Sequence, residues 1–235
     1  MNKREYDILE TKENILADND KVAADVRGLL KSHKIFMVNL MASPGAGKTT
    51  TLVRTIQALK DKYRVGVMEA DVDSDVDAAT VQAAGAKVIQ LHTGGSCHMD
   101  ADMTRRGIEG LGLEDIDVLF LENVGNLVCP AEFDVGAAKR VAILSVPEGD
   151  DKPLKYPLMF TVSDLLMIGK IDVKPVFDFD EAACREYVAK LNPNCKVLPV
   201  SAKTGEGFDA WIGWLEEEIA KFRNGTAGKT AASAE

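Results

Sequence analysis

The 235-residue chain is long enough to bury a full core without staples, and 46% hydrophobic with 28% charged residues is an ordinary globular composition. Its net charge of −9, with no contiguous basic run, argues against coating nucleic acid or lying on a membrane through basic residues. The charged opening MNKREYDILETKENIL, the lack of an apolar run near the roughly 20 residues of a membrane span, and four cysteines without a leader predict a cytoplasmic protein whose thiols are reduced or hold metal.

Apolar residues at Ile15, Leu16, Val22, Val26, Leu29 and Leu30 recur at helical spacing and predict an N-terminal helical extension, residues 1–33, packed on the main body. A single domain over 34–223 follows. Its apolar runs are IFMVNLM (35–41), VGVME (65–69), KVIQL (87–91), DVLFL (117–121), RVAILS (140–145), DLLMI (164–168) and KVLPV (196–200). Most are apolar at successive positions, as in strands covered on both faces, and helical patterns lie between most of them. The expectation is an α/β fold with a mostly parallel sheet of about seven strands flanked by helices. Phe208, Trp211, Ile212, Leu215, Ile219 and Phe222 share one face of a closing helix and read as core. From Asn224 the stretch NGTAGKTAASAE has no apolar period, which predicts a disordered tail over 224–235.

Directly after the strand at 35–41 comes Ser43-Pro44-Gly45-Ala46-Gly47-Lys48-Thr49, and then a helical pattern beginning at Thr49-Thr50. Strand, glycine turn and helix start in that order make a phosphate-binding P-loop, and with it the P-loop NTPase fold. The glycines let successive N–H groups point at an anion, and the helix start adds its positive dipole end. Lys48 is placed to reach the β- and γ-phosphates, and the Thr49 hydroxyl to bind Mg²⁺. Ala42 stands where the usual motif begins with glycine, a small-for-small change. Asp71, closing the second strand, and Glu122, closing the fourth, lie at the same sheet edge as the loop and are candidates for the Mg²⁺ shell. Asp73, Asp75 and Asp77 read as a solvated loop and helix start.

The base reader follows the sixth and seventh strands: Lys170-Ile171-Asp172 and Ser201-Ala202-Lys203. Asp172 can accept two N–H donors from guanine, whereas adenine would leave buried polar groups unpaired. Lys170 can cover the base plane, and the Ala202 N–H can meet the guanine carbonyl. GTP and GDP are therefore the expected ligands. Gly169 stands where an asparagine would bond the base and tie this loop to the P-loop.

A second constellation combines Cys97 and His98, in TGGSCHMDA after the third strand, with Cys129, in ENVGNLVCP after the fourth. Thiolate and imidazole suit Ni²⁺ or Zn²⁺, and three ligands leave a position open or invite a second chain. Cys184, Cys195, His33 and His92 have no matching partner and read as structural or surface residues.

Taken together, LMASPGAGKTT, the EAD segment, TGGSCHMDA, LFLENVGNLVCP, KPLKYP, SDLLMIGKID and SAKTGEGF resemble the HypB family of hydrogenase-maturation nickel-incorporation GTPases, over residues 14 to 220. That resemblance implies a P-loop domain of the dimerising GTPase class and GTP-favoured homodimers. It also implies a metal site near the dimer interface built from Cys97, His98 and Cys129. The implied function is GTP-dependent nickel delivery to the large-subunit precursor of NiFe-hydrogenase, with a zinc-containing maturation protein as partner. The sequence carries no His-rich or Cys-rich storage stretch, and the family's asparagine is replaced by Gly169. Three other readings compete: a urease-type accessory GTPase, a small-molecule kinase on the same scaffold, and a metal-binding module with a degenerate nucleotide site.

Overall fold

The computed structural model describes residues 11–71 and 76–230. Strands and helices alternate through the first half as α1 (Thr11–Ser32), β1 (Phe36–Ala42), α2 (Lys48–Leu59), β2 (Val65–Asp71), α3 (Val76–Ala83), β3 (Lys87–His92), α4 (Ala101–Leu111) and β4 (Val118–Glu122). The second half adds α5 (Cys129–Glu132), β5 (Lys139–Ser145), α6 (Lys152–Lys155), α7 (Pro157–Val162), β6 (Leu165–Gly169), α8 (Glu181–Leu191), β7 (Lys196–Pro199) and α9 (Phe208–Thr230). Each predicted strand is present, and all neighbours pair in parallel in one seven-stranded sheet ordered β3-β2-β4-β1-β5-β6-β7.

The unbroken apolar runs follow from this architecture. In β1, Phe36, Val38, Leu40 and Ala42 face one hydrophobic cluster, Met37 a second and Met41 a third, so both faces of the strand are dry. In β4, Val118 and Phe120 pack with α2 and α9, while Leu119 and Leu121 turn to the side covered by α1 and α4. Parallel strands end on a common edge, which collects the carboxyl ends of β1, β2, β4, β6 and β7. Among the described residues, no helix is long and apolar enough to cross a membrane.

At both ends of the chain the structure departs from the sequence pattern. α1 buries Ala23, Val26 and Leu30, whereas Ile15 is 58% and Leu29 37% exposed. Helical spacing defines a stripe, but its angular position depends on what lies beneath. Here α1 is oriented by polar ties as well. Asn19 Nδ2 donates to the Asp134 carbonyl at 2.9 Å, and Arg27 pairs with the Asp134 carboxylate at 2.7 Å. α9 buries Phe208, Trp211, Leu215 and Ile219 as expected, and Trp214 as well; the Trp211 indole donates to Thr55 Oγ1 at 2.9 Å. The helix then continues past Asn224 to Thr230, where a disordered tail is expected from the sequence. A helical hydrogen-bond ladder is internal to the segment and can outrun the apolar stripe that anchors it. Residues 1–10 and 231–235 lie outside the described residues.

Candidate nucleotide and metal site

The turn between β1 and α2 is built from two left-handed glycines, Gly45 at φ 73° and Gly47 at φ 102°, and Gly47 also serves as the N-cap of α2. A side chain at either position would be strained, which is why the loop needs glycine there. The loop opens into a cavity of about 540 Å³. Gly45, Gly47, Lys48, Thr49 and Thr50 form one wall, and Asp71 and Glu122 stand across from them, as anticipated from the sequence. Thr49 Oγ1 donates to Glu122 Oε1 at 2.9 Å. The Ser43 hydroxyl is committed elsewhere: it donates to Glu148, whose second oxygen accepts from the Ser145 N–H at 2.8 Å and the Ser145 hydroxyl at 2.6 Å. Ser43 can therefore serve phosphate only through its main chain.

Glu69 is a wall residue that sequence reasoning passed over. The β2–β4 register sets Glu69 beside Glu122, and the two residues are 3% and 2% exposed. One oxygen of each, Glu69 Oε2 and Glu122 Oε2, has no hydrogen-bond partner. Burial first, and then the neighbouring Glu122 charge, push the Glu69 carboxyl up to about 10; burial raises Glu122 as well. Two buried carboxyls with unused oxygens beside the Thr49 hydroxyl are a donor set of the hard, oxygen-only kind that Mg²⁺ takes. Asp71 is half-buried at the rim. Asp77 is exposed in the first turn of α3, as expected, yet it also lines this cavity. Asp73 and Asp75 fall outside the described residues. The available signal for Glu69 was its spacing, since positions 69 and 71 share one face of a strand.

Beside the P-loop lies a second cavity of about 260 Å³, into which Ala46, Gly169, Lys170, Asp172, Ala202 and Lys203 converge. Lys170 adopts a left-handed conformation (φ 58°), and its ammonium donates to the Gly45 carbonyl at 2.7 Å, bridging the two loops. Asp172 Oδ1 accepts from the Ser201 hydroxyl at 2.7 Å. Ser201 is fully buried and its Oγ also accepts from the Thr204 N–H at 3.1 Å, so Ser201 aims Asp172 from behind the pocket. Arg54 of α2 was not foreseen. Its guanidinium donates to the Ala202 carbonyl at 3.0 Å and lies over the Phe208 ring, fixing the loop that lines this cavity after β7.

Cys97, His98 and Cys129 come together as expected, their ligand atoms all within 4.8 Å of one another. Cys97 Sγ lies 2.9 Å from Cys129 Sγ and 3.8 Å from His98 Nδ1. The His98 ring stacks on Phe133 at 4.0 Å, and burial lowers its pKa, which favours the neutral imidazole that can ligate a metal. The Cys129 thiol is raised, chiefly by its hydrogen bond with Cys97. Asn126 Oδ1 accepts from the Val128 N–H at 2.7 Å and the Cys129 N–H at 3.3 Å, setting the turn that presents Cys129. Cys184 and Cys195 are remote from this group, and burial pushes them up to about 12 and about 11, as befits structural thiols. His33 and His92 are exposed.

The segment from Glu122 to Cys129 touches both sites. At one end Glu122 meets Thr49, and in the middle the Asn126 N–H donates to the Ala42 carbonyl at 2.8 Å. Gly125 presses on the P-loop so closely that a Cβ there would sit 2.9 Å from the Pro44 nitrogen.

Comparison with known proteins agrees with this geometry. Residues 36–199 match the family model described as the CobW/HypB/UreG nucleotide-binding domain. The hydrogenase maturation factor HypB of Azotobacter chroococcum mcd 1 is 47% identical over 211 residues, 90% of this chain and 69% of that protein. The crystal structure of HypB from Helicobacter pylori in complex with nickel superposes with a TM-score of 0.82 at 37% identity, over 87% of this chain and 96% of that one. A structure of the signal recognition particle 54 kDa protein from Aeropyrum pernix K1 with GDP shares the fold alone, with a TM-score of 0.54 and 15% identity over 81% of this chain and 49% of that one. With its P-loop, base loops and Cys–His–Cys group in place, this chain belongs to the HypB family of hydrogenase maturation factors, nickel-related GTPases within the CobW/HypB/UreG group.

Proposed function

We propose that the protein hydrolyses GTP slowly and uses the cycle to deliver nickel to the large-subunit precursor of NiFe-hydrogenase. It acts in the cytoplasm as a nucleotide-dependent homodimer, with a zinc-containing maturation protein as partner. The P-loop N–H groups and Lys48 hold the β- and γ-phosphates. Asp172 accepts the guanine N–H pair, Lys170 covers the base, and the Ala202 N–H meets the base carbonyl. Thr49, Asp71 and Glu122 are the residues for Mg²⁺, and Glu69 backs Glu122; when bound, Mg²⁺ offsets phosphate charge. Cys97, His98 and Cys129 hold the nickel cargo, or Zn²⁺ in its place, and leave a coordination position for a second copy of the chain or for the acceptor.

The observation that carries this is the convergence of three soft ligands, two of them at the end of one loop and the third on a segment that begins against the Thr49 hydroxyl. A nucleotide can change the grip on metal only if the two nucleotide states differ in metal affinity. The test is to titrate Ni²⁺ and Zn²⁺ into the protein and Cys97→Ala, with GDP and then with a non-hydrolysable GTP analogue. Equal affinities in both states would rule out the coupling. Phosphate release from GTP, with Lys48→Ala as the control, separates a GTPase from a metal module whose nucleotide site is idle.

A further inference from the structure

Asn123 directly follows β4, between Glu122 and Val124, and is fully buried. Its Oδ1 accepts from the Met99 N–H at 3.1 Å and from the Val124 N–H at 2.9 Å, and its Nδ2 donates to Asn39 Oδ1 at 3.2 Å. Its own N–H donates to the Leu40 carbonyl at 3.0 Å. Met99 is 1% exposed and follows Cys97-His98 directly, so its amide has no water to turn to and must be paired within the protein. The partner is a side chain on the strand end that also carries Glu122, the residue in contact with Thr49. One residue thus joins the backbone of the Cys97–His98 loop to the strand end that faces the phosphates.

We propose that Asn123 is a positioning residue for the metal site, and that it passes displacement of the β4 end to Cys97 and His98. This rests on reading Cys97, His98 and Cys129 as the nickel site. Asn19 of α1 provides the natural control, because it ties the start of α4, two residues past Met99, to α1. Its Oδ1 accepts from the Ala101 N–H at 2.9 Å and its Nδ2 donates to the Asp134 carbonyl at 2.9 Å. Neither contact involves the strand end that faces the phosphates.

The experiment measures Ni²⁺ affinity and the sulfur-to-nickel charge-transfer band at saturating GDP, at a saturating non-hydrolysable GTP analogue, and without nucleotide. The proteins are the parent chain, Asn123→Ala, Asn123→Asp and Asn19→Ala. Asn123→Ala strands the Met99 amide, and the expected result is Ni²⁺ binding weakened by about tenfold or more, with the affinities in the two nucleotide states drawn together. Asn123→Asp keeps an acceptor for Met99 and stays closer to the parent. Asn19→Ala weakens Ni²⁺ by one common factor in both states. An unchanged ratio between the states in Asn123→Ala, or an equal loss of that ratio in Asn19→Ala, overturns the proposal. Should melting show that the alanine variant does not fold, Asn123→Ser, whose side chain is too short for Met99, is read by the same criteria. A parent chain with no difference between the states sinks the nucleotide-coupled nickel reading. In that event the nucleotide-free affinity and band of Asn123→Ala decide the positioning role, and no change in either removes it.

Discussion

Restoring the missing asparagine, Gly169→Asn, should tighten guanine-nucleotide binding, and the structure says why the change is tolerated. Gly169 ends β6 with an ordinary backbone angle, and a Cβ built on it meets Ile143 Cγ2 at 3.5 Å, the Ala46 carbonyl at 3.8 Å and the Leu144 carbonyl at 3.9 Å, all van der Waals distances. The side chain therefore enters without strain. Its amide can reach the Ala46 carbonyl on the P-loop and present its remaining capacity to the base. Lys170 already ties the two loops through Gly45, so the gain is one or two net hydrogen bonds, about 1–3 kcal/mol. At about 1.4 kcal/mol per decade, that is roughly a 5- to 150-fold lower Kd for GDP. Isothermal titration of GDP into both proteins, with ADP as the specificity control, reads it directly. Unchanged or weaker GDP binding by a folded variant would show that the loop at 169 does not act as a base reader.

Three further outcomes follow from the same contacts. Gly125→Ala drives a methyl against the Pro44 backbone, so stability falls by about 1–3 kcal/mol and phosphate release slows; a variant with parent-like melting and turnover would mean that the 122–129 segment does not press on the P-loop. Leu215→Ala empties a fully buried position between α9 and the sheet, and urea unfolding should show a loss of about 2–5 kcal/mol, with under 1 kcal/mol arguing against this packing. Hydrogen bonds from Arg64 hold the Asp117 carboxyl at about 2, below its ordinary 3.8, so the stabilisation is present above pH 3.8 and is lost as pH falls towards 2. The Tm difference between the parent and Asp117→Asn should accordingly be full at neutral pH and shrink through that window; a difference that grows on acidification would contradict the sign.

How much of this was legible in the residues divides along physical lines. Local signals carried the elements: unbroken apolar runs announced strands covered on both faces, and the glycine turn between a strand and a helix start announced the β1–α2 loop. The donor types at 97, 98 and 129 suggested a soft-metal group from the residues alone, since side-chain donors are a property of the residue, and the fold brings them within 4.8 Å of one another. Register, rotation and pairing are properties of the assembled chain. Only the β2–β4 register puts Glu69 against Glu122, and only burial beside a second carboxyl raises the Glu69 carboxyl. Only packing decides that Ile15 faces water while Ala23 is covered. The roles of Arg54, Ser201, Asn19 and Asn123 depend on partners far away in sequence, such as Ala202, Asp172, Asp134 and Met99. A periodicity cannot name such partners, because the folded backbone alone brings their donors and acceptors within bonding distance.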